Sequence, residues 1–460
     1  MVIANSILNL CQTILTAGGR AFLVGGWVRD HLRGEDNVDY DLEVYGLEPV
    51  KLCALLEAAG TVNAVGEAFT VYKLKLDETL TIDVSMPRRE SKIGRGHRAF
   101  EVTGDPAMTY EEAARRRDFT INAIMYDPLT DEFVDPYNGR EDIKRGVIRA
   151  VAADTFIEDS LRVLRAMQFA SRFEYEIDPG TVALCRGIDL SDLPAERIWA
   201  EVEKWLLQSR QPARGFWAAR QLGIVEKLWP EMHALIDCPQ EPEWHPEGDV
   251  WIHSGLVIDE ARKLIDDLPH AKKLAVMLGA LCHDFGKPAT TRIEGGRIRS
   301  LGHEEAGIKP TEDFLTRLNL CTIDGYDVRK QVIALVADHL APAHFYKSHE
   351  KGEQVSDGAF RRLAQRVEPD LLYRVARADC LGRTGNFAPD AMEWFITKVN
   401  DLAIAEKPPG PILLGRHVLA LGIEPGPRVG EITKALFELQ LDGKVTTLEE
   451  AIAAAQKIIE

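Results

Sequence analysis

Two aspartates stand two residues apart in NVDYDLEVYG, where Asp39 and Asp41 interleave with Val38, Tyr40, Leu42 and Val44. The alternation predicts a strand. Successive side chains of a strand point to opposite faces, so Asp39, Asp41 and Glu43 share one of them. Like charges at that spacing repel unless something positive lies between them, so the face is either wet or holds a cation. Glu43, farther along, reads as merely solvated. Asp83 in TIDVSM is likewise out of phase with Ile82 and Val84, and joins the acidic face if its strand lies beside the first. Two carboxylates on one face suit hard divalent cations that can bridge a triphosphate.

Anion-binding features surround this pair. LVGGWVRDHLRG (23–34) reads as strand, double glycine and helix. Gly25 and Gly26 allow close backbone approach, leaving free amides at a helix N-terminus aimed at an anion. In MTYEEAARRRDFTINA, Thr109 and Glu112 have capping-box spacing, which starts a helix. Arg115, Arg116 and Arg117 cannot all face one way along it. At least one of them, with Asp118, must point into the domain, compensated by a phosphorylated ligand or an internal salt bridge. EDSLR (158–162) begins another helix, on which Asp159, Arg162 and Arg165 follow at three-residue steps.

A second constellation lies downstream. ALCHDFGKP places His283 and Asp284 at the end of an apolar helix. A lone buried histidine is usually a satisfied core residue. Here His253 precedes it in DVWIHSG, and His303, His339 and Asp379 follow in LGHEEAG, VADHLAP and RADCLGRTG. Nitrogen and carboxylate ligands drawn from several helices are what a mononuclear or dinuclear metal site needs. His245 and Glu247 in WHPEGD read as structural.

The elements that must carry these residues change texture along the chain. Short strands and turns with a few helices run from Ala21 to about Val151, with strands predicted at FLV, VDYDLEVY, TVYKLKL and TLTIDVSM. Helical spacing takes over to Glu231, and a connector, DCPQEPEWHPEGD, leads to a second helical zone ending near Gly385. After EKPPGP comes a short helical tail. The 460 residues, 45% hydrophobic and 28% charged, are ordinary for a soluble chain of several domains. No apolar run reaches the roughly 18 residues of a membrane span. The apolar N-terminus lacks leading Lys or Arg and reads as a first helix ended by Gly18 and Gly19. Seven cysteines without a Cys-x-x-Cys fit free thiols in a reducing cytosol. A net charge of −17 argues mildly against nucleic acid as a partner, but PRRESKIGRGHRAF (87–100) is locally basic.

GGWVRD, DYD, RRRDFTINA and EDSLRVLRA, in this order, resemble the class II CCA-adding enzymes and bacterial poly(A) polymerases, from about Ala21 past Leu206. The resemblance implies an α+β chain. A polymerase-β-type nucleotidyltransferase head would occupy 1–150, a helical base-selecting neck 151–238, an HD-type metal-dependent phosphohydrolase domain 239–385 and a helical tail 386–460. It implies that Asp39 and Asp41 hold two magnesium ions for nucleotidyl transfer, beside which Asp83, from the strand pattern, would stand as a third catalytic carboxylate. Gly26 and Arg29 would bind the incoming nucleotide, and Arg117 and Asp118 its ribose and phosphates. Asp159, Arg162 and Arg165 would serve as template. Their chemistry suits that role: a carboxylate accepts from the exocyclic amine of cytosine or adenine while guanidinium donates beside it, and uracil or guanine would oppose oxygen to oxygen. Gln168 stands where the family commonly carries one more arginine, which puts one phosphate contact in doubt. The stretch between Arg88 and Asp105 falls where the family keeps a flexible element for the final adenosine.

The downstream zone resembles the HD phosphohydrolase domain carried by some CCA-adding enzymes. That implies hydrolysis of a phosphate ester such as a 2′,3′-cyclic phosphate on an RNA end, with a divalent metal of open identity. His253, His283, Asp284 and Asp379 would form the minimal set, and His303 and His339 would serve a second metal or the substrate. The expected partners are tRNA, CTP and ATP, in the cytoplasm and away from membranes. A poly(A) polymerase or A-adding enzyme shares every head motif, although the non-basic tail argues against tracking arbitrary RNA. A hydrolase whose head serves only to bind RNA is the remaining alternative.

Overall fold

The structure, a computed structural model, describes residues 3–64, 71–92 and 100–459. By internal contacts the chain forms two units. The first comprises Met1–Trp205 and Arg214–Leu228, and the second Leu206–Ala213 and Trp229–Glu460.

The first unit is built on a seven-stranded sheet of β1 (Arg20–Val24), β2 (Asp41–Tyr45), β3 (Thr61–Ala64), β4 (Val71–Lys75), β5 (Thr81–Ser85), β8 (Met125–Asp127) and β9 (Glu132–Val134), in the order β3-β4-β5-β2-β1-β8-β9. β2 and β5 run parallel and every other pair is antiparallel. Phe22, Val24, Tyr45 and Met125 bury one face of this sheet against Ala113 and Ala114 of helix Tyr110–Arg115. That helix starts where the capping box predicts it, with Thr109 Oγ1 and the Glu112 side chain serving each other's backbone amides. β2 is shorter than the alternation predicts. The Asp39 amide donates to Asn37 Oδ1 at 2.8 Å, a local turn bond that competes with the ladder, and pairing with β1 begins at Asp41. The stretch between Arg88 and Asp105 contains two antiparallel strands, β6 (Arg88–Lys92) and β7 (Phe100–Gly104), paired from Arg88↔Gly104 to Lys92↔Phe100. Residues 93–99, where the expected flexible element falls, lie outside the described residues. Helices follow, among them Leu161–Phe173 and Ala195–Gln208.

The second unit is almost wholly helical. Helix Val250–Arg262 packs on Pro369–Gly382, and His270–Cys282 packs on both Val250–Arg262 and Val328–Asp338. A small hairpin, Arg292–Glu294 with Arg297–Arg299, interrupts them. Helices Gly415–Leu419, Pro427–Leu441 and Leu448–Ile459 close the unit around Val418, Ile432, Leu436 and Ala451. Among the described residues no helix is long and apolar enough to cross a membrane.

Two candidate catalytic sites

In the first unit, register places the acids. Parallel pairing of β2 and β5 sets Asp41 directly beside Asp83, and β1 sets Val24 against Asp41 on the other side. Gly25 follows Val24 at φ 70°, a left-handed conformation that glycine adopts at no steric cost. A Cβ there would lie 3.3 Å from Asp41 Oδ2 and 3.5 Å from Arg117 Nη1. The glycine that keeps the acid accessible is therefore Gly25. Gly26, to which the resemblance gave the nucleotide contact, begins helix Gly26–Arg33. Burial, then the nearby charge of Asp39, push the Asp41 carboxyl up to about 6, with Arg117 pulling the other way. Asp39 itself is exposed in the segment before β2.

Glu43 is not solvated. It is fully buried, and accepts from Arg116 Nη2 at 3.0 Å and from Arg117 Nη2 at 2.8 Å. A buried carboxylate would be costly alone, and two guanidiniums compensate it. The internal salt bridge demanded by the arginine run is thus found, and it holds two of the arginines at the site. Arg115 instead pairs with exposed Asp154.

These groups line a cavity of about 550 Å³. Asp41, Asp83, Arg116 and Arg117 contribute to its wall, as do Asp159, Arg162 and Arg197. Asp159 precedes the helix it was expected to occupy: the helix begins at Leu161, whose amide donates to Asp159 Oδ1 at 3.2 Å, and Asp159 Oδ2 pairs with Arg197 at 3.1 Å. Arg162 donates to the carbonyls of Thr155 (2.7 Å) and Arg116 (2.6 Å), which fixes its guanidinium. Arg165 and Asp118 satisfy each other at 2.7 Å, and Asp118 also accepts from the Phe119 amide and Asn122. Arg29 is buried, pairs with Asp30 and Asn122, and lies over the Phe173 ring at 4.5 Å. Gln168 is fully buried, and neither side-chain polar atom has a hydrogen-bond partner. Gly26, Arg29, Asp118, Arg165 and Gln168 are thus absent from the cavity wall, where the resemblance had implied nucleotide contacts. Arg116 and Arg197 stand there instead. The middle arginine of RRRD was the available signal for Arg116, whereas nothing in AERIWAEV marks Arg197.

In the second unit six predicted residues converge. His253 Nε2 lies 3.0 Å from Asp379 Oδ1, His283 Nε2 3.1 Å from Asp284 Oδ2, and Asp284 Oδ1 3.4 Å from His303 Nε2. His303 Nε2 and His339 Nε2 are 3.2 Å apart. The other ring nitrogens of His283, His303 and His339 meet backbone carbonyls three residues back, those of Ala280 (2.8 Å), Ser300 (2.7 Å) and Val336 (2.7 Å). Only Nδ1–H can donate to a carbonyl, so each Nε2 keeps its lone pair inward, the tautomer a metal ligand needs. Burial, then His303 and His283, push His339 down to about 4, so it is neutral near pH 7.

The set fits a divalent cation. Asp284 is buried with both oxygens, and His283 with its Nε2, unaligned to any hydrogen-bond partner, although Lys287 Nζ approaches Asp284 Oδ2 to 2.7 Å. Among the described residues, triads whose ligand atoms all lie within 4.8 Å occur here, as His245–Glu247–His253, His253–His283–Asp379 and Asp284–His303–His339, and none occurs in the first unit. Magnesium characteristically takes one or two carboxylates plus substrate phosphates, so Asp41 and Asp83 still suit it. Gly286 has backbone so close to His303 that a Cβ would lie 2.0 Å from the His303 carbonyl oxygen, which seats the His-Asp turn against that histidine. Glu247 faces His253 Nδ1 at 2.8 Å and His245 Nδ1 at 2.9 Å, which brings the two residues read as structural to the edge of the cluster. Sequence reasoning passed over Lys287, although it closes the very HDFGK stretch that drew attention to His283.

Fold and site together define a nucleotidyltransferase head joined to an HD-type helical domain. Family models match accordingly: the poly A polymerase head domain over residues 21–149, the probable RNA and SrmB-binding site of polymerase A over 175–236, and the HD domain over 250–384. A multifunctional CCA protein of Stenotrophomonas maltophilia (strain R551-3) is 36% identical over 382 residues, 80% of this chain and 87% of its own length. That of strain K279a is 35% identical over 434 residues, covering 90% and 96%. The chain belongs to the family of multifunctional CCA proteins. The fold matches the Bacillus stearothermophilus CCA-adding enzyme in complex with CTP (TM-score 0.65, 21% identity, 99% and 97% of the two chains). It also matches the Thermotoga maritima CCA-adding enzyme complexed with tRNA (TM-score 0.58, 19% identity, 100% and 97%).

Proposed function

We propose that the chain is a tRNA nucleotidyltransferase that adds cytidine, cytidine and adenosine to tRNA 3′ ends from CTP and ATP, and that its HD domain hydrolyses phosphate esters. The observation that carries the first activity is the pairing of Asp41 with Asp83 on the wall of a cavity that also presents Arg116, Arg117, Asp159 and Arg162.

Magnesium bound by Asp39, Asp41 and Asp83 would supply the positive charge that acidifies the RNA 3′-hydroxyl and offsets charge on the departing pyrophosphate. Arg116 and Arg117, held by Glu43, face the triphosphate. Asp159 and Arg162 offer an acceptor beside donors, a pattern that matches the amine and acceptor edges of cytosine and adenine. The 3′ oxygen bonds to the α-phosphorus as the bond to the bridging oxygen breaks, pyrophosphate leaves, and the hydroxyl proton passes to solvent.

In the second unit, His253, His283, Asp284 and Asp379 would hold one divalent cation, and His303 and His339 would complete a second position with Asp284. The cation would supply Lewis-acid polarisation and a more acidic water. Lys287, buried beside Asp284, offers an ammonium to a phosphate oxygen. For a 2′,3′-cyclic phosphate, the water oxygen bonds to phosphorus, one ribose P–O bond breaks and that ribose oxygen takes the proton.

Incubation with magnesium and labelled tRNA lacking CCA, with CTP and ATP offered singly and together, tests the transferase. Two cytidines, one adenosine and a halt are expected. Long adenosine tails would make the chain a poly(A) polymerase. Absence of incorporation with hydrolysis intact would leave the head as an RNA-binding module.

A further inference from the structure

The HD cluster opens into a cavity of about 660 Å³, spacious for a single phosphate and within the range of drug-sized ligand sites. Its far wall is built from two segments tied together. The connector contributes Trp244, and the Arg292–Arg299 hairpin is fastened to that connector by the Ile298 amide donating to Glu241 Oε2 at 2.9 Å and by Arg297 pairing with Glu243. Trp244 is 52% exposed and contributes to the cavity wall, which leaves its indole available for contact.

The same cavity gathers positive charge beyond what its metal ligands need. Arg299, Lys347 and Arg383 all line it, and none has an ion pair to a carboxylate among the described residues. Arg383 is held instead over the Phe387 ring at 4.3 Å. Glu241 and Glu304 line the same cavity, but Glu241 accepts from the Ile298 amide and neither pairs with the three cations, which are left to attract an anion from solution. A phosphoryl group held at the histidine cluster and Lys287 would leave those three cations unused. They call for a second phosphate, and Trp244 calls for a flat aromatic group near it.

We infer that the HD cavity takes the end of an RNA chain, with Trp244 as the stacking platform for a base and Arg299, Lys347 and Arg383 gripping the adjacent phosphodiester. This rests on the reading of the HD domain as a phosphohydrolase acting on an RNA end and adds to it the residues that hold the terminal base and the second phosphate.

The test uses the full chain with manganese and three substrates: an RNA trinucleotide ending in a 2′,3′-cyclic phosphate, a 2′,3′-cyclic mononucleotide, and bis(p-nitrophenyl) phosphate, which has neither base nor second phosphate. The trinucleotide should show the highest kcat/KM. Trp244→Ala should lower the ratio of kcat/KM for the trinucleotide to that for bis(p-nitrophenyl) phosphate about tenfold, chiefly through KM, and Trp244→Phe should restore most of it. The double variant Arg299→Ala/Lys347→Ala should erase the advantage of trinucleotide over mononucleotide. A trinucleotide no better than the mononucleotide, or a ratio unmoved by Trp244→Ala, overturns the inference while leaving the hydrolase reading standing. Turnover of none of the three overturns both.

Discussion

Glu43 and Arg117 meet at 2.8 Å, with the carboxylate wholly buried and the guanidinium directed at the neighbourhood of Asp41. An acid that never faces solvent thus decides where a cation of the cavity wall points. Glu43→Gln keeps the shape and removes the charge that fixes Arg116 and Arg117. Cytidine incorporation should fall about tenfold to a hundredfold, as misplacement of a positioned group does. Single-turnover kinetics with CTP will measure it, and a wild-type rate would rule the positioning role out.

The Asp118–Arg165 pair links stability to pH. Burial opposes the charge on Asp118, but Arg165, Asn122 and the Phe119 amide outweigh it and hold the carboxyl below its ordinary value. A carboxylate depressed on folding contributes stability that is fully present above its unfolded value, about 3.9, and is lost as pH falls through the lower folded value. Urea unfolding should therefore weaken below about pH 4. Asp118→Asn should flatten that decline, and should cost about 1–3 kcal/mol at pH 7, because Arg165 then keeps only its longer contact with Glu201 at 4.0 Å.

The two chemistries should separate by mutation. Asp41→Ala should abolish nucleotide incorporation and spare phosphodiester hydrolysis, whereas His283→Ala should do the reverse. Parallel assays on one preparation of each variant suffice, and loss of both activities in either would contradict the assignment.

Divalent cations should stabilise the chain through the histidine cluster, because a ligand bound only by the folded state raises the melting temperature by mass action. Protein stripped with a chelator should gain several degrees on addition of manganese or nickel at about a hundredfold excess over Kd. His339→Ala should lose most of that gain, read by thermal unfolding rather than by turnover.

Gln168 carries a buried amide with no partner, a state that costs about 1–3 kcal/mol. Gln168→Met, of similar length and without the polar atoms, should be as stable as the wild type or more so by denaturant titration. KM for CTP should stay within about twofold, because Gln168 does not line the nucleotide cavity.

The acids and histidines were legible because each breaks a pattern. Asp41 and Asp83 interrupt apolar alternation, and His283 ends an apolar helix. What escaped was partnership. Periodicity put Glu43 on the acidic face and could not reveal that an arginine run some 70 residues later would bury it. The resemblance makes Arg29 and Arg165 nucleotide ligands, and an arginine in a motif carries no sign of the internal carboxylate that pairs with it in the structure. Trp244 and Lys287 lay next to residues already singled out, but tertiary approach alone gave them a cavity to face.

The parallel junction of β2 and β5 has a consequence for the making of the molecule. Asp83 reaches Asp41 solely through strand alignment, with no hinge or side-chain reach to correct a misfit. A slip of one residue would turn Asp83 to the opposite face and bring Ile82 or Val84 in its place. The same slip would carry the buried Ile82 and Val84 to the wrong face, so the packing that stabilises the sheet also guards the alignment of the two acids.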